Sequence, residues 1–214
     1  MSKTLYHRGP DDEGIFVDSK ISLGHRRLSI LDLSERGKQP MLYNSGDREL
    51  HIVYNGEIYN YEEVKHYLQN KNFRFKTNTD TEVILAAYIF WGEKCLEHFN
   101  GMWSFAIYDV SKNNIFFSRD RYGKKPLYYH FENGNLIFSS EIKSILEHPI
   151  PRKVNHSVLS DYINYNLIEH TNETFFESIF KLPPGHNAIF DINKRKLSIK
   201  KYYNLSDLPK PEED

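Results

Sequence analysis

The 214-residue chain has one cysteine, Cys95, so neither an internal disulfide nor a cysteine zinc site can form, which suits a reducing compartment. Long apolar runs are lacking. The longest, at 83–91, is too short to cross a bilayer, and the first six residues lead into a polar loop with no signal-peptide core. Excess charge is lacking too: 28 Lys and Arg against 29 Asp and Glu leave a net charge of -1, and no global field draws the chain to nucleic acid or anionic lipid. Neither common type of Gly-rich phosphate loop occurs, which argues against a nucleotide site. The 10 His residues are scattered without ligand spacing, which argues against a metal site. A cytoplasmic protein with no metal, no nucleic-acid partner and no membrane partner is the expectation.

What is present is core-forming material. Hydrophobic residues make up 39% and aromatics 14%, with 15 Tyr and 14 Phe, enough to pack one large domain or two small ones. Short apolar stretches at 15–17, 21–23 and 28–33 read as strands. Residues 51–54 and 57–59 flank Asn55-Gly56, the commonest hairpin dipeptide. Residues 61–68 carry apolar groups at helical spacing, and Thr79-x-x-Glu82 is a capping box ahead of a mostly apolar, hence buried, helix. Runs at 103–108, 114–118, 127–131 and 136–139 resemble an antiparallel meander; 141–147 and 157–165 read as short helices, and 186–192 with 197–203 as a final hairpin. Strands in runs with a helix pair inserted predict an α+β or layered α/β/β/α domain. The acidic, proline-containing stretch 206–214 reads as a linker.

Several ordered motifs then narrow the reading. His7-Arg8-Gly9-Pro10-Asp11-Asp12-Glu13-Gly14, His25-Arg26-Arg27-Leu28-Ser29-Ile30, Tyr54-Asn55-Gly56-Glu57-Ile58-Tyr59-Asn60 and Thr79-Asp80-Thr81-Glu82 stand in sequence. Asn100-Gly101-Met102-Trp103-Ser104-Phe105-Ala106, Arg119-Asp120-Arg121-Tyr122-Gly123, Ser139-Ser140-Glu141-Ile142-Lys143 and Leu182-Pro183-Pro184-Gly185-His186 follow. Residues 5–205 thereby resemble the type-2 glutamine amidotransferase (glutaminase) domain of glutamine-hydrolysing asparagine synthetases, in the N-terminal-nucleophile hydrolase superfamily.

The resemblance implies a four-layer α/β/β/α sandwich of two antiparallel sheets, with residues 1–205 a partial amidotransferase domain and 206–214 a linker toward an absent synthetase domain. It implies hydrolysis of glutamine to glutamate and ammonia, with ammonia passed to a synthetase domain or subunit that amidates aspartate using ATP; ATP and Mg are expected only there. The family's opening Met-Cys-Gly-Ile, whose cysteine is the nucleophile, has no match, so the first strand and helix are expected to be missing and the chain to be inactive alone. Ser2, four residues before His7, is in the wrong place to substitute, and Cys95 lies in a helix-like stretch with no activating pattern.

By the same resemblance Asn55 (side-chain amide) and Gly56 (backbone N–H) match the oxyanion hole, Arg27 the arginine that pairs with the substrate α-carboxylate, and Asp80 and Glu57 the carboxylates near its ammonium. Each has a plainer reading: a hairpin turn for Asn55-Gly56, a solvated strand residue for Arg27 or Glu57, a favourable charge in a helix's first turn for Asp80. The basic and aromatic run 119–129 looks like a nucleic-acid patch, but Asp120 and the net charge favour a structural hairpin. Two functions stay open: a glutaminase serving asparagine synthesis or another acceptor such as a surface-polysaccharide sugar, and a non-catalytic remnant that holds glutamine or docks to a synthetase.

Overall fold

The computed structural model describes residues 1–30, 32 and 34–207. After a 3-10 turn at Ser2–Arg8 come the hairpin β1 (Asp12–Val17) and β2 (Ser22–Arg27), then β3 (Met41–Ser45), β4 (Arg48–Ile58), α1 (Tyr61–Gln69) and α2 (Asp80–Trp91). They are followed by β5 (Gly101–Asp109), β6 (Asn114–Arg119), β7 (Tyr128–Glu132), β8 (Asn135–Ser139), α3 (Ile142–Ile145) and α4 (His156–Tyr165). The short β9 (Phe180–Lys181), β10 (His186–Asp191) and β11 (Lys196–Lys201) complete the elements.

Six strands form one antiparallel sheet in the order β11-β10-β6-β5-β4-β3. Strand alternation gives it two buried faces. On β4, Leu50, Ile52 and Tyr54 pack with α1 and α2 in one core, whereas Val53 belongs to a second core with Leu23 of β2 and, from β5, Ala106 and Tyr108. That second core is closed by the pair β1-β2 and by the three-stranded sheet β8-β7-β9, and α3 lies outside β7 and β8 with Ile145 fully buried. The expected α/β/β/α order is present, with the second sheet in two pieces.

Local chemistry explains the helix that positions the site. Thr79 caps α2 by accepting from the Glu82 amide at 3.3 Å, and residues 80–88 are all buried, as an apolar sequence demands. Only half of the capping box forms, because the Glu82 carboxylate takes the Lys76 and Thr77 amides instead of its cap residue. The loop after β6 is held from both polarities. Arg119 donates to the carbonyls of Lys125, Leu182 and Gly123, each at 2.8 Å, while Asp120 accepts from the amides of Tyr122, Lys124 and Lys125. The basic aromatic run is thus a structural hub, as its flanking acid implied.

Three expectations change. Asn55-Gly56 is no turn: it lies inside the unbroken β4, with Asn55 opposite Ser104 and Gly56 opposite Trp103 of β5. Continuous pairing with a nine-residue partner outweighs the local turn preference. The expected strand at 28–33 is absent from residues 28–30 and 32, and residues 31 and 33 lie outside the described residues. The expected 206–214 linker lies outside them from residue 208; Leu205–Asp207 makes a 3-10 turn. Among the described residues no helix is long and apolar enough to cross a membrane.

Candidate functional site

A cleft of about 1320 Å³ opens between the six-stranded sheet and the two smaller ones. Arg27, Asn55, Gly56, Glu57 and Asp80 all line it, although three different segments, β2, β4 and the start of α2, deliver them.

The centre is the outer edge of β4. β3 pairs with β4 only as far as Ile52, so beyond that point every second amide of β4 lacks a strand partner on this side. Side chains take over: the Tyr54 amide donates to Gln39 Oε1 at 2.7 Å and the Ile58 amide to Asp80 Oδ2 at 3.0 Å. By alternation the Gly56 amide, midway between them, points the same way. A side chain at Gly56 would collide with the Met102 carbonyl and the Tyr54 ring, so this stretch of sheet needs glycine. Next to it, Asn55 shares the cleft face of β4 with Val53, and its Nδ2 is buried with no hydrogen-bond acceptor. Two donors therefore stand side by side on a rigid strand, the arrangement that stabilises a developing oxyanion.

Charge is distributed around them. Asp80, 5% exposed, opens α2, accepts from Tyr54 Oη at 2.8 Å and from Ile58 N, and has its pKa raised above the ordinary carboxylate value chiefly by burial. Glu57 is half-buried, and among the described residues its carboxylate has no hydrogen-bond or ion-pair partner. Arg27 is buried; its guanidinium donates to the carbonyls of Ser34, at 2.9 Å, and of Asp32, and packs on Gly37. It anchors Asp32 and Ser34 while lining the cleft. A cation and two carboxylates in one cleft complement an α-amino acid, whose charges are reversed.

Sequence reasoning did not single out His25 as a site residue. His25 Nε2 lies 2.9 Å from the Tyr54 carbonyl, in the peptide unit that leads into Asn55. Burial lowers its pKa to about 4, so the ring is neutral at pH 7 and Nε2–H is the donor. The available signal was its two-residue spacing from Arg27, which puts both on one face of β2. Cys95 is fully buried in the core on the helix side of the six-stranded sheet, away from the cleft face, and burial pushes its thiol far above its ordinary value. It is no nucleophile here. Ser2 lines the cleft wall against Gly24. Among the described residues no three His, Cys, Asp or Glu side chains group to hold a metal ion.

The fold and this cleft fit one class of protein, the glutamine amidotransferase domains, and comparison with known proteins agrees. Residues 1–203 match the model of the glutamine amidotransferase domain, and the chain belongs to that family. A Methanocaldococcus jannaschii protein assigned as a glutamine-hydrolysing asparagine synthetase is 45% identical over 97% of this chain and 43% of its own length. Asparagine synthetase [glutamine-hydrolyzing] 3 of Bacillus subtilis is 37% identical over 96% of this chain and 33% of its own. The chain thus spans less than half the length of these relatives. The glutamine phosphoribosylpyrophosphate amidotransferase structure from B. subtilis superposes with a TM-score of 0.61 at 18% identity, over 85% of this chain and 35% of the other, a likeness of fold.

Proposed function

We propose that the cleft binds glutamine and is the substrate-holding and oxyanion-stabilising part of a glutaminase, which releases glutamate and ammonia for a synthetase unit that amidates aspartate. Arg27 takes the α-carboxylate, Asp80 and Glu57 the α-ammonium, and the Asn55 side-chain amide with the Gly56 N–H the oxygen that gains charge when the amide carbon is attacked. The observation that carries this reading is the buried Asn55 Nδ2 with no acceptor, since such a donor is costly unless a ligand oxygen pairs with it. Aspartate as acceptor is supported by the names of the relatives, which are asparagine synthetases; in this proposal ATP and Mg act in the synthetase unit, and a sugar acceptor is the alternative.

One observation favours the non-catalytic reading: Arg27 spends donors on the carbonyls of Asp32 and Ser34. Calorimetric titration with glutamine tests whether the cleft holds the substrate through Asn55. Weak binding that is lost in Asn55→Ala, with an unchanged circular dichroism spectrum, supports the substrate-holding role of the cleft; equal binding by wild type and variant, or none by either, overturns it.

A further inference from the structure

β4 runs on past the last residue that β3 pairs, and side chains from other segments fill the peptide groups left over. Antiparallel pairing turns the N–H and C=O of every second residue toward the same neighbour, so Tyr54, Gly56 and Ile58 present theirs to the side away from β5. At Tyr54 both groups are taken: Gln39 Oε1 accepts from the amide at 2.7 Å and His25 Nε2 donates to the carbonyl at 2.9 Å. At Ile58 the amide donates to Asp80 Oδ2 at 3.0 Å. Among the described residues no side chain accepts from the Gly56 amide, which lies about 7 Å along the strand from each. One open position stands between two filled ones.

Gln39 is held at both ends. Its Nε2 donates to Thr81 Oγ1 at 3.4 Å, next to Asp80, and its backbone carbonyl lies so close to Gly14 of β1 that a side chain there would collide with it. The residue is only 7% exposed. Its carboxamide serves both partners in one orientation alone, oxygen to β4 and nitrogen to α2. It thus ties the strand of the oxyanion donors to the first turn of α2, alongside the bond from Tyr54 Oη to Asp80.

We propose that Gln39 is a positioning residue of the cleft: it supplies the pairing that β3 does not, and so keeps the Asn55 and Gly56 donors aligned on one ligand oxygen. The proposal rests on the glutamine reading of the cleft. Oxyanion donors act only where their directions are set before the ligand arrives. Without Gln39 the buried Tyr54 amide loses its acceptor, and the strand moves to find another. The amino-acid head is held by other side chains, so the loss is selective: contact at Gly56 weakens while contact at the head persists.

The test uses the full chain, isotope-labelled, titrated with L-glutamine and followed by amide NMR. In wild type, glutamine is expected to move the resonances of both Gly56, at the oxyanion position, and Asp80, at the head. In Gln39→Met, of similar volume, the Kd is expected to rise about tenfold. At saturation the Asp80 shift is expected to be full and the Gly56 shift less than about half of it in wild type. An unchanged Kd, or both shifts at full size, overturns the positioning role and leaves the glutamine reading standing. Thr81→Val frees only the Nε2 end of Gln39 and is expected to reduce the Gly56 shift in the same selective way, with a Kd about threefold higher. Where Gln39→Met fails to fold or to bind, Thr81→Val decides, and wild-type shifts there overturn the role. Wild type that binds no glutamine, or binds it without moving Gly56, overturns the reading of the cleft and the proposal with it.

Discussion

The Tyr54 hydroxyl donates to Asp80 Oδ2 at 2.8 Å, locking the strand that carries Asn55 and Gly56 to the helix that opens with the buried carboxylate. Burial raises the Asp80 pKa, and the donors from Tyr54 and Ile58 partly offset it. Tyr54→Phe removes one donor, so Asp80 is expected to titrate at still higher pH, read from its carboxyl carbon shift by NMR. The loss of a hydrogen bond to a charged group is expected to cost about 1.5–3 kcal/mol of stability while Asp80 is ionised, measured by urea unfolding. Because the folded-state value is raised, the contribution of Asp80 to stability is fully present below its ordinary value and declines as pH rises through the folded one. An unchanged Asp80 titration in Tyr54→Phe would contradict this coupling.

His25 has the opposite sign. Its folded value, about 4, lies below the ordinary 6.5, so stability is present above pH 6.5 and lost as pH falls through 4. The full loss is on the order of 3 kcal/mol, from 1.36 kcal/mol per pKa unit. His25→Gln keeps a donor for the Tyr54 carbonyl and does not titrate, so its unfolding midpoint is expected to fall less between pH 6.5 and 4. Parallel curves for wild type and variant would refute the burial of a neutral ring.

Gly56→Ala places a methyl group against the Met102 carbonyl. Overpacking of this kind is expected to cost about 1–3 kcal/mol, visible as a lower urea midpoint with an unchanged slope. A neutral substitution would mean that β4 and β5 are farther apart than the pairing implies.

Arg27→Lys keeps the charge and loses the planar fork. If Arg27 holds the substrate carboxylate, calorimetric glutamine affinity is expected to drop by about 1.5–3 kcal/mol, the worth of a charged hydrogen bond. If it serves only to anchor Asp32 and Ser34, thermal stability falls and whatever binding exists stays.

Much of this architecture was legible in the sequence because it follows from pattern. The capped apolar helix at 80–91 and the strands from 101 onward appear where periodicity and turn residues put them, but not as one meander: β6 pairs with β10, while β7 and β8 belong to another sheet, a long-range choice that local pattern cannot report. Asn55-Gly56 misled because a turn preference is local, whereas pairing over residues 101–109 is a tertiary effect that the dipeptide cannot report. β3 was missed: Met41-Leu42-Tyr43-Asn44-Ser45 is too polar to stand out and is a strand because β4 offers it an edge. The five candidate residues came from the family resemblance, and nothing in their spacing told that they share one cleft. The role of Gln39 in closing the β4 edge was invisible, since it depends on where a neighbouring strand stops.

The hub built by Arg119 and Asp120 has a consequence for proteolysis. Residues 119–125 hold three trypsin targets, Arg119, Arg121 and Lys124, while Pro126 shields the bond after Lys125. Yet a segment with three amides and two carbonyls clamped to two buried side chains cannot easily adopt the extended form that a protease cleft grips. In the folded chain this segment is expected to outlast less densely bonded surface turns in a trypsin time course, which makes its first cleavage a clock for opening of the whole sheet pair.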